Sequence, residues 1–278
     1  MGSIVWLASY PKSGNTWARA FIQNFRDGAL QPSDINALDK YFADESKPNW
    51  YLPHTDRSLS ELTVADICAL RPKVHQAIAA SRGRSLIVKT HNMMGEFNGL
   101  PLHDMSVTAG AVYIVRNPLD VVLSLADHFG LSIDDAIEFM NSDTTGSPTD
   151  EANVASVLSS WSTHVLSWTR DDNESTCVLR YEDLLAKPAK GFRKLVAFLG
   201  LDPDQARIKR AIEFSSFRQM QKQEQAQGFR ERSPNSKKFF RAGKQGQWRT
   251  TLTKEQVGRL VDAHREQMKR FKYVPPGY

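Results

Sequence analysis

The chain has 278 residues, 41% hydrophobic and 24% charged, with 36 Lys and Arg against 31 Asp and Glu and hence a formal charge of +5. That balance is ordinary for globular proteins and excludes collagen-like, coiled-coil and wholly disordered chains. The length suits one large α/β domain spanning residues 1–278. Cys68 and Cys177 form no metal or redox spacing, no apolar run approaches the roughly 20 residues of a membrane helix, and MGSIVWLASYPK carries no signal-peptide pattern. A cytoplasmic enzyme is expected.

Four short apolar runs rich in β-branched residues read as buried parallel strands: Ile4–Ala8, Leu86–Lys89, Ala111–Val115 and Cys177–Arg180. Helical periodicity recurs between them. Residues Val154, Val157, Leu158, Trp161, Val165 and Trp168 predict one helix, and Val257 to Phe271 another, opened by a Thr253–Gln256 capping box. Asp202-Pro203 reads as a cap followed by a first-turn proline. Strands alternating with helices predict a mostly parallel sheet of P-loop type with helices on both faces. Two polar stretches, 141–153 and 221–238, are nearly free of aliphatic residues and are expected to be mobile loops.

Strand Ile4–Ala8 runs into Ser9-Tyr10-Pro11-Lys12-Ser13-Gly14-Asn15-Thr16-Trp17 and then a helix. A strand, a glycine turn and a helix start gather backbone N–H groups and the positive end of a helix dipole at one point. Lys12 adds a full charge, and Ser13, Asn15 and Thr16 add short polar groups suited to an anion. The Walker A spacing is absent, because the lysine precedes the glycine. The same segment also reads as an ordinary strand-to-helix turn.

The next motif begins where Ala111–Val115 ends, in Arg116-Asn117-Pro118, with Ser124 two turns into the following helix. An arginine fork and a hydroxyl suit one phosphate. A Mg²⁺-dependent NTPase would place a carboxylate at such a strand end. The alternative is a surface pair between Arg116 and Asp120. Leu86–Val88 leads into Lys89-Thr90-His91, which sets an imidazole beside a cation at a strand's carboxyl end, the position for general-base work on a hydroxyl. No His or Cys pair has metal-ligand spacing. Near the C-terminus, Phe239-Phe240-Arg241-Ala242-Gly243-Lys244-Gln245-Gly246-Gln247-Trp248-Arg249 mixes cations, glycines and aromatics. It reads as a basic turn, a nucleic-acid patch or an arm over a bound anion.

Taken together, YPKSGNTW, KTH, RNPLDVVLS and RAGKQGQW resemble the PAPS-dependent sulfotransferase family, closest to its cytosolic branch and consistent with a bacterial-type member. They span residues 10 to 249 in the family's order. The resemblance implies that Lys12, Ser13, Gly14, Asn15 and Thr16 hold the 5′-phosphosulfate of PAPS and that Trp17 stacks on adenine. It implies Arg116, Ser124, Arg241, Ala242 and Gly243 for the 3′-phosphate segment. Tyr181, Ser215, Phe217 and Phe239 fall in further nucleotide-contacting stretches. His91 would be the base, assisted by Lys89 and Lys12, with no metal. Asn15 stands where Thr is frequent, Ala242 replaces a usual Lys, Gln247 replaces Asp, and Asn92-Met93 replaces Leu-Pro.

The implied reaction is sulfuryl transfer to a hydroxyl or amine of a small acceptor. An apolar or aromatic acceptor is expected from Tyr41, Phe42, Trp50, Tyr51, Phe97, Phe129, Phe139 and Met140, which equally read as core. A small-molecule kinase using ATP and Mg²⁺ is the alternative reading. A nucleic-acid partner and a membrane span are not expected. The oligomeric state stays open, a homodimer included, with no match to the family's dimerisation motif.

Overall fold

The computed structural model describes residues 2–83, 85–170 and 174–278. Its centre is a five-stranded parallel sheet flanked by helices, built from β1 (Ile4–Ser9), β2 (Phe42–Asp44), β3 (Leu86–Thr90), β4 (Thr108–Val115) and β5 (Thr176–Arg180) in the order β2-β3-β1-β4-β5. All four expected strands are present, each one to three residues longer than its apolar run. β2 was not expected, since three residues, FAD, are too few to show a period.

The principal helices are α1 (Asn15–Asp27), α2 (Val64–Ala80), α3 (Pro118–Phe129), α4 (Ile133–Asn141), α5 (Trp161–Thr169), α6 (Gln205–Phe214), α7 (Phe217–Gln227) and α8 (Lys254–Arg270). The Thr253–Gln256 capping box opens α8 as expected, and Pro118 opens α3. No described helix is long and apolar enough to cross a membrane.

Three expectations are corrected. The helix expected from Val154 begins only at Trp161: the Ser160 side chain accepts from Thr163 N, and Ser156–Val157 instead pair antiparallel with Gly146–Ser147. The apolar spacing was real, because Val154 and Leu158 are buried, but it continued through extended chain. The cap expected at Asp202 lies two residues later, where Asp204 accepts from Arg207 N. The expected loop 221–238 is helical as far as Gln227. Its buried face there consists of Met220 and the carboxylate of Glu224, so an apolar count misses it.

The chain forms two compact units. The first contains the described residues of Met1–Tyr10, Phe42–Tyr113 and Phe139–Val178. Its strand register sets Ile87 against both Val5 and Phe42, and Lys89 against both Leu7 and Asp44. Parallel partners point to the same face, so Asp44 and Lys89 share one side of the sheet and Glu45 and Thr90 the other. Phe42, Tyr51 and Met140 are all buried here and belong to the core.

The second unit contains Pro11–Tyr41, Ile114–Glu138 and Leu179–Tyr278. One of its apolar clusters gathers Ala20 of α1, Ile35, Leu38, Met220 of α7, Phe229 and Phe240, with Trp17, Phe217 and Phe239 packed against it. The irregular segment 228–247 is held by side-chain bonds. Glu224 accepts from the N–H groups of Phe239 (2.6 Å) and Phe240 (2.9 Å). Ser236 Oγ reaches the Asp127 carboxylate (2.8 Å), and the buried Asp120 accepts from Gly246 N (2.6 Å) and Trp248 N (3.3 Å).

Candidate active site

The second unit carries the turn in which the sequence predicts an anion cradle. Lys12, just after β1, has φ 66° and Gly14 has φ 108°, so the turn into α1 needs left-handed backbone twice. Glycine is required at 14 for a second reason: a Cβ there would lie 2.7 Å from the Tyr181 ring. No side chain caps the start of α1 at Gly14. Ser13 Oγ, Trp17 Nε1 and Arg116 Nε are buried without a hydrogen-bond partner. Orphaned atoms of this kind also occur at Tyr51, Arg71 and His103 in the first unit; Ser13 and Trp17 differ from those in flanking the glycine turn into α1, and Arg116 in bonding to the Lys12 carbonyl.

Lys12 Nζ lies 4.0 Å over the Phe239 ring. Burial pulls its ammonium down to about 8; Asp127 and Glu231 resist the fall, while Arg116 and Arg241 add to it. Arg116 is buried, donates from NH1 to the Lys12 carbonyl (2.8 Å), and stacks its guanidinium 4.5 Å from the Tyr181 ring. With Asp120 accepting backbone N–H groups, the surface pair between Arg116 and Asp120 is not formed. Burial raises the Tyr181 phenol, which is therefore neutral.

Gly243 has φ 59°, and a Cβ there would meet the Phe217 ring at 2.3 Å, so the backbone of the RAGKQGQW segment lies directly on α7. Arg241 is exposed, and Ser124 and Ala242 are half-buried. Trp17 packs edge-on against Tyr181 (5.7 Å) and Phe192 (5.2 Å). Ser215 is buried, with its hydroxyl donated to the Ala211 carbonyl (2.7 Å). Every nucleotide residue expected from the sequence thus lies in this one unit.

His91 and Lys89 belong to the first unit. His91 Nδ1 lies 2.8 Å from the Ser9 carbonyl oxygen, which can only accept, so the ring carries its proton at Nδ1 and Nε2 is the basic nitrogen. The His91 carbonyl in turn accepts from His164 Nε2 (3.1 Å), and His164 Nδ1 accepts from the Tyr113 hydroxyl (2.9 Å). Burial pushes His164 down to about 3, which keeps it neutral and able to play both parts. Lys89 Nζ is paired with Asp44 (2.8 Å), as the strand register requires. Burial alone would raise the Asp44 carboxyl, but the Lys89 charge overrides it and holds the group well below the usual range.

Sequence reading missed the support around His91. The buried carboxylate of Glu45, next after β2, accepts from Arg71 NH1 (2.9 Å), His75 Nε2 (2.9 Å), Asn92 Nδ2 (2.7 Å) and the Thr90 hydroxyl. Both chain neighbours of His91 are therefore tied to one anion. Burial pushes the Glu45 carboxyl up, yet Arg71 and His75 hold it far below the ordinary range. Asn92 also accepts from Val157 N (2.8 Å), and its carbonyl accepts from Trp168 Nε1 (3.0 Å). A polar residue at 92, where the resembling pattern has leucine, makes this network possible.

The fold is an α/β fold on a parallel sheet, with a glycine turn after its first strand in the second unit and an imidazole held by a backbone carbonyl after its third in the first. The family described as "Sulfotransferase domain" matches residues 3–272, and the chain belongs to that family; it is a sulfotransferase. Among curated relatives, flavonol 3-sulfotransferase of Flaveria bidentis is 25% identical, over 92% of this chain and 78% of its own. Sulfotransferase 2A2 of Mus musculus is 26% identical over 98% and 85%. The fold is shared with a mouse sulfotransferase complexed with PAP (TM-score 0.64, 22% identity, 97% of this chain and 85% of the other). It is shared also with retinol dehydratase in a complex with retinol and PAP (TM-score 0.65, 20% identity, 98% and 83%).

Proposed function

We propose that this sulfotransferase takes its sulfuryl group from PAPS and passes it, in line, to a hydroxyl or amine of a small apolar or aromatic acceptor, with His91 as general base. The observation that carries the base assignment is the 2.8 Å approach of His91 Nδ1 to the Ser9 carbonyl: with the proton held there, Nε2 is the nitrogen able to take one from an acceptor O–H or N–H. The donor assignment is supported by family membership, by the PAP complexes of two structural neighbours, and by the orphaned Ser13, Trp17 and Arg116 groups in the cradle.

When bound, PAPS supplies an activated sulfuryl group on a phosphate leaving group. The residues of this chain do the rest. The cradle of Lys12 to Thr16 holds the 5′ end, and Arg116, Ser124, Arg241 and Gly243 hold the 3′-phosphate. Tyr181, Phe217 and Trp17 flank the base. His91 Nε2 takes the acceptor's proton as the acceptor oxygen or nitrogen bonds to sulfur. Lys12 neutralises the charge gathered by the departing phosphate oxygen, and Lys89, anchored by Asp44, adds a second positive field.

A radiolabelled-PAPS screen against phenols, aliphatic alcohols, amines and sugars, run in EDTA, tests this reading. Labelled sulfate on a phenol or aliphatic alcohol is the expected result. Transfer only from ATP, and only with added Mg²⁺, would give the site to a kinase, and labelling confined to sugars would overturn the acceptor class.

A further inference from the structure

Arg116 follows the last residue of β4, and the groups around it described next all lie in the second unit. Its side chain is held at two points: NH1 donates to the Lys12 carbonyl (2.8 Å), and the guanidinium lies 4.5 Å from the Tyr181 ring. Its backbone is held as well. The next N–H along the chain, that of Asn117, donates to Glu182 Oε1 (3.0 Å). Tyr181 and Glu182 open the short helix Tyr181–Ala186. One dipeptide thus grips the arginine's side chain with a ring and the peptide after it with a carboxylate.

The second oxygen of that carboxylate is engaged from near the C-terminus. The Tyr273 hydroxyl donates to Glu182 Oε2 (2.6 Å) and lies 3.4 Å from the Val115 carbonyl, the residue before Arg116. Tyr273 is placed there by the way α8 ends. Lys272 is left-handed (φ 59°), its N–H donates to the Lys269 carbonyl (3.1 Å), and the Tyr273 N–H donates to the Met268 carbonyl (2.7 Å). That pair of bonds is a Schellman turn, which fixes the path of the chain as it leaves the helix. The Tyr273 side chain is buried, with the Arg180 guanidinium 4.8 Å over its ring. Burial and the Glu182 charge raise the phenol well above its ordinary value, so it stays protonated and able to donate.

We infer that Glu182 and Tyr273 are positioning residues for Arg116: the C-terminal turn, through the Tyr273 hydroxyl and the Glu182 carboxylate, sets the backbone from which the 3′-phosphate arginine projects. The inference rests on the proposed function, which gives the 3′-phosphate to Arg116. A carboxylate bonded through one oxygen can still rotate about its own side chain, and engaging the second oxygen removes that freedom. A supporting shell that lets a binding group drift by about 1 Å forfeits much of its effect, because hydrogen bonds weaken steeply with distance and angle.

Calorimetric titration with PAP and with adenosine 5′-phosphate, which lacks the 3′-phosphate, tests this. The variants are Tyr273→Phe, Glu182→Ala, Arg116→Met, and Tyr273→Phe combined with Arg116→Met, each checked for folding by thermal melting. Tyr273→Phe removes one oxygen and keeps the ring, so it decides the matter even if Glu182→Ala does not fold. It should bind PAP about fivefold more weakly, part of the roughly tenfold that one hydrogen bond to a charged group is worth. Glu182→Ala should lose at least as much, and neither should change the affinity for adenosine 5′-phosphate. In the Arg116→Met background, Tyr273→Phe should have no further effect on PAP. Unchanged PAP affinity in Tyr273→Phe, equal losses for the two nucleotides, or a further loss in the Arg116→Met background would overturn the inference. A parent protein that binds the two nucleotides equally, or an Arg116→Met protein with parental PAP affinity, would instead overturn the assignment of the 3′-phosphate to Arg116 on which it stands.

Discussion

Around the cradle, Ser13 Oγ, Trp17 Nε1 and Arg116 Nε are buried with nothing to bond, Lys12 is held in a left-handed turn, and its ammonium is pulled down to about 8. Around His91 the protein has already done the work. The ring is fixed by Ser9, the carbonyl by His164, and the flanking Thr90 and Asn92 by a saturated Glu45. The contrast separates two ways of building a reactive site. On the proposed function, the first are groups that grip an exchangeable anion, and the second is a base set in place by its neighbours before the acceptor arrives.

The sharpest way to break this comparison is at His91 itself. His91→Ala should lower kcat by about 10²–10⁴, the range for a lost general base, with PAP affinity by calorimetry unchanged. Near-normal turnover would remove its role, and a parallel loss of PAP binding would show that the two functions are not separate.

Next in size is Glu45→Gln. It leaves Arg71 buried without its counter-charge and should cost about 3–5 kcal/mol of stability in urea titration. The pH dependence has a definite sign. Because the folded-state pKa of Glu45 is depressed, its contribution is complete above the ordinary glutamate value of 4.5 and is lost as pH falls below it. The Gln variant should lack that part of the acid sensitivity.

The smallest effect concerns Lys12. With its ammonium near 8 in the free protein, an anion bound beside it raises that value, so binding above pH 8 draws in a proton. PAP affinity should fall about tenfold between pH 7 and pH 9. Titration in two buffers of different ionisation heat reads the uptake directly; equal affinity and no uptake at pH 9 would show that Lys12 does not meet the ligand.

How much of this was legible in the sequence follows from how local each feature is. Lys12 to Trp17 are consecutive, and Arg116 and Ser124 share one strand-helix junction, so a short window holds the whole chemical pattern. His91 could be placed because KTH ends an apolar run. The lock behind it could not, because Glu45, Arg71, His75 and Asn92 come together only once β2 pairs with β3 and α2 packs nearby. His164 was hidden for another reason: its helical period suggests packing and says nothing of a polar relay. The helix through 221–227 escaped because its inward face presents the carboxylate of Glu224, which satisfies two backbone N–H groups instead of filling an apolar core.

The backbone at Lys12 also bears on engineering. A left-handed lysine costs on the order of 1 kcal/mol relative to glycine in the same turn, so Lys12→Gly relieves the backbone while, on the proposed function, it removes the charge that meets the departing phosphate. Stability screens that rank substitutions by melting temperature alone would favour that exchange, and on this reading residue 12 is where heat resistance and turnover pull in opposite directions.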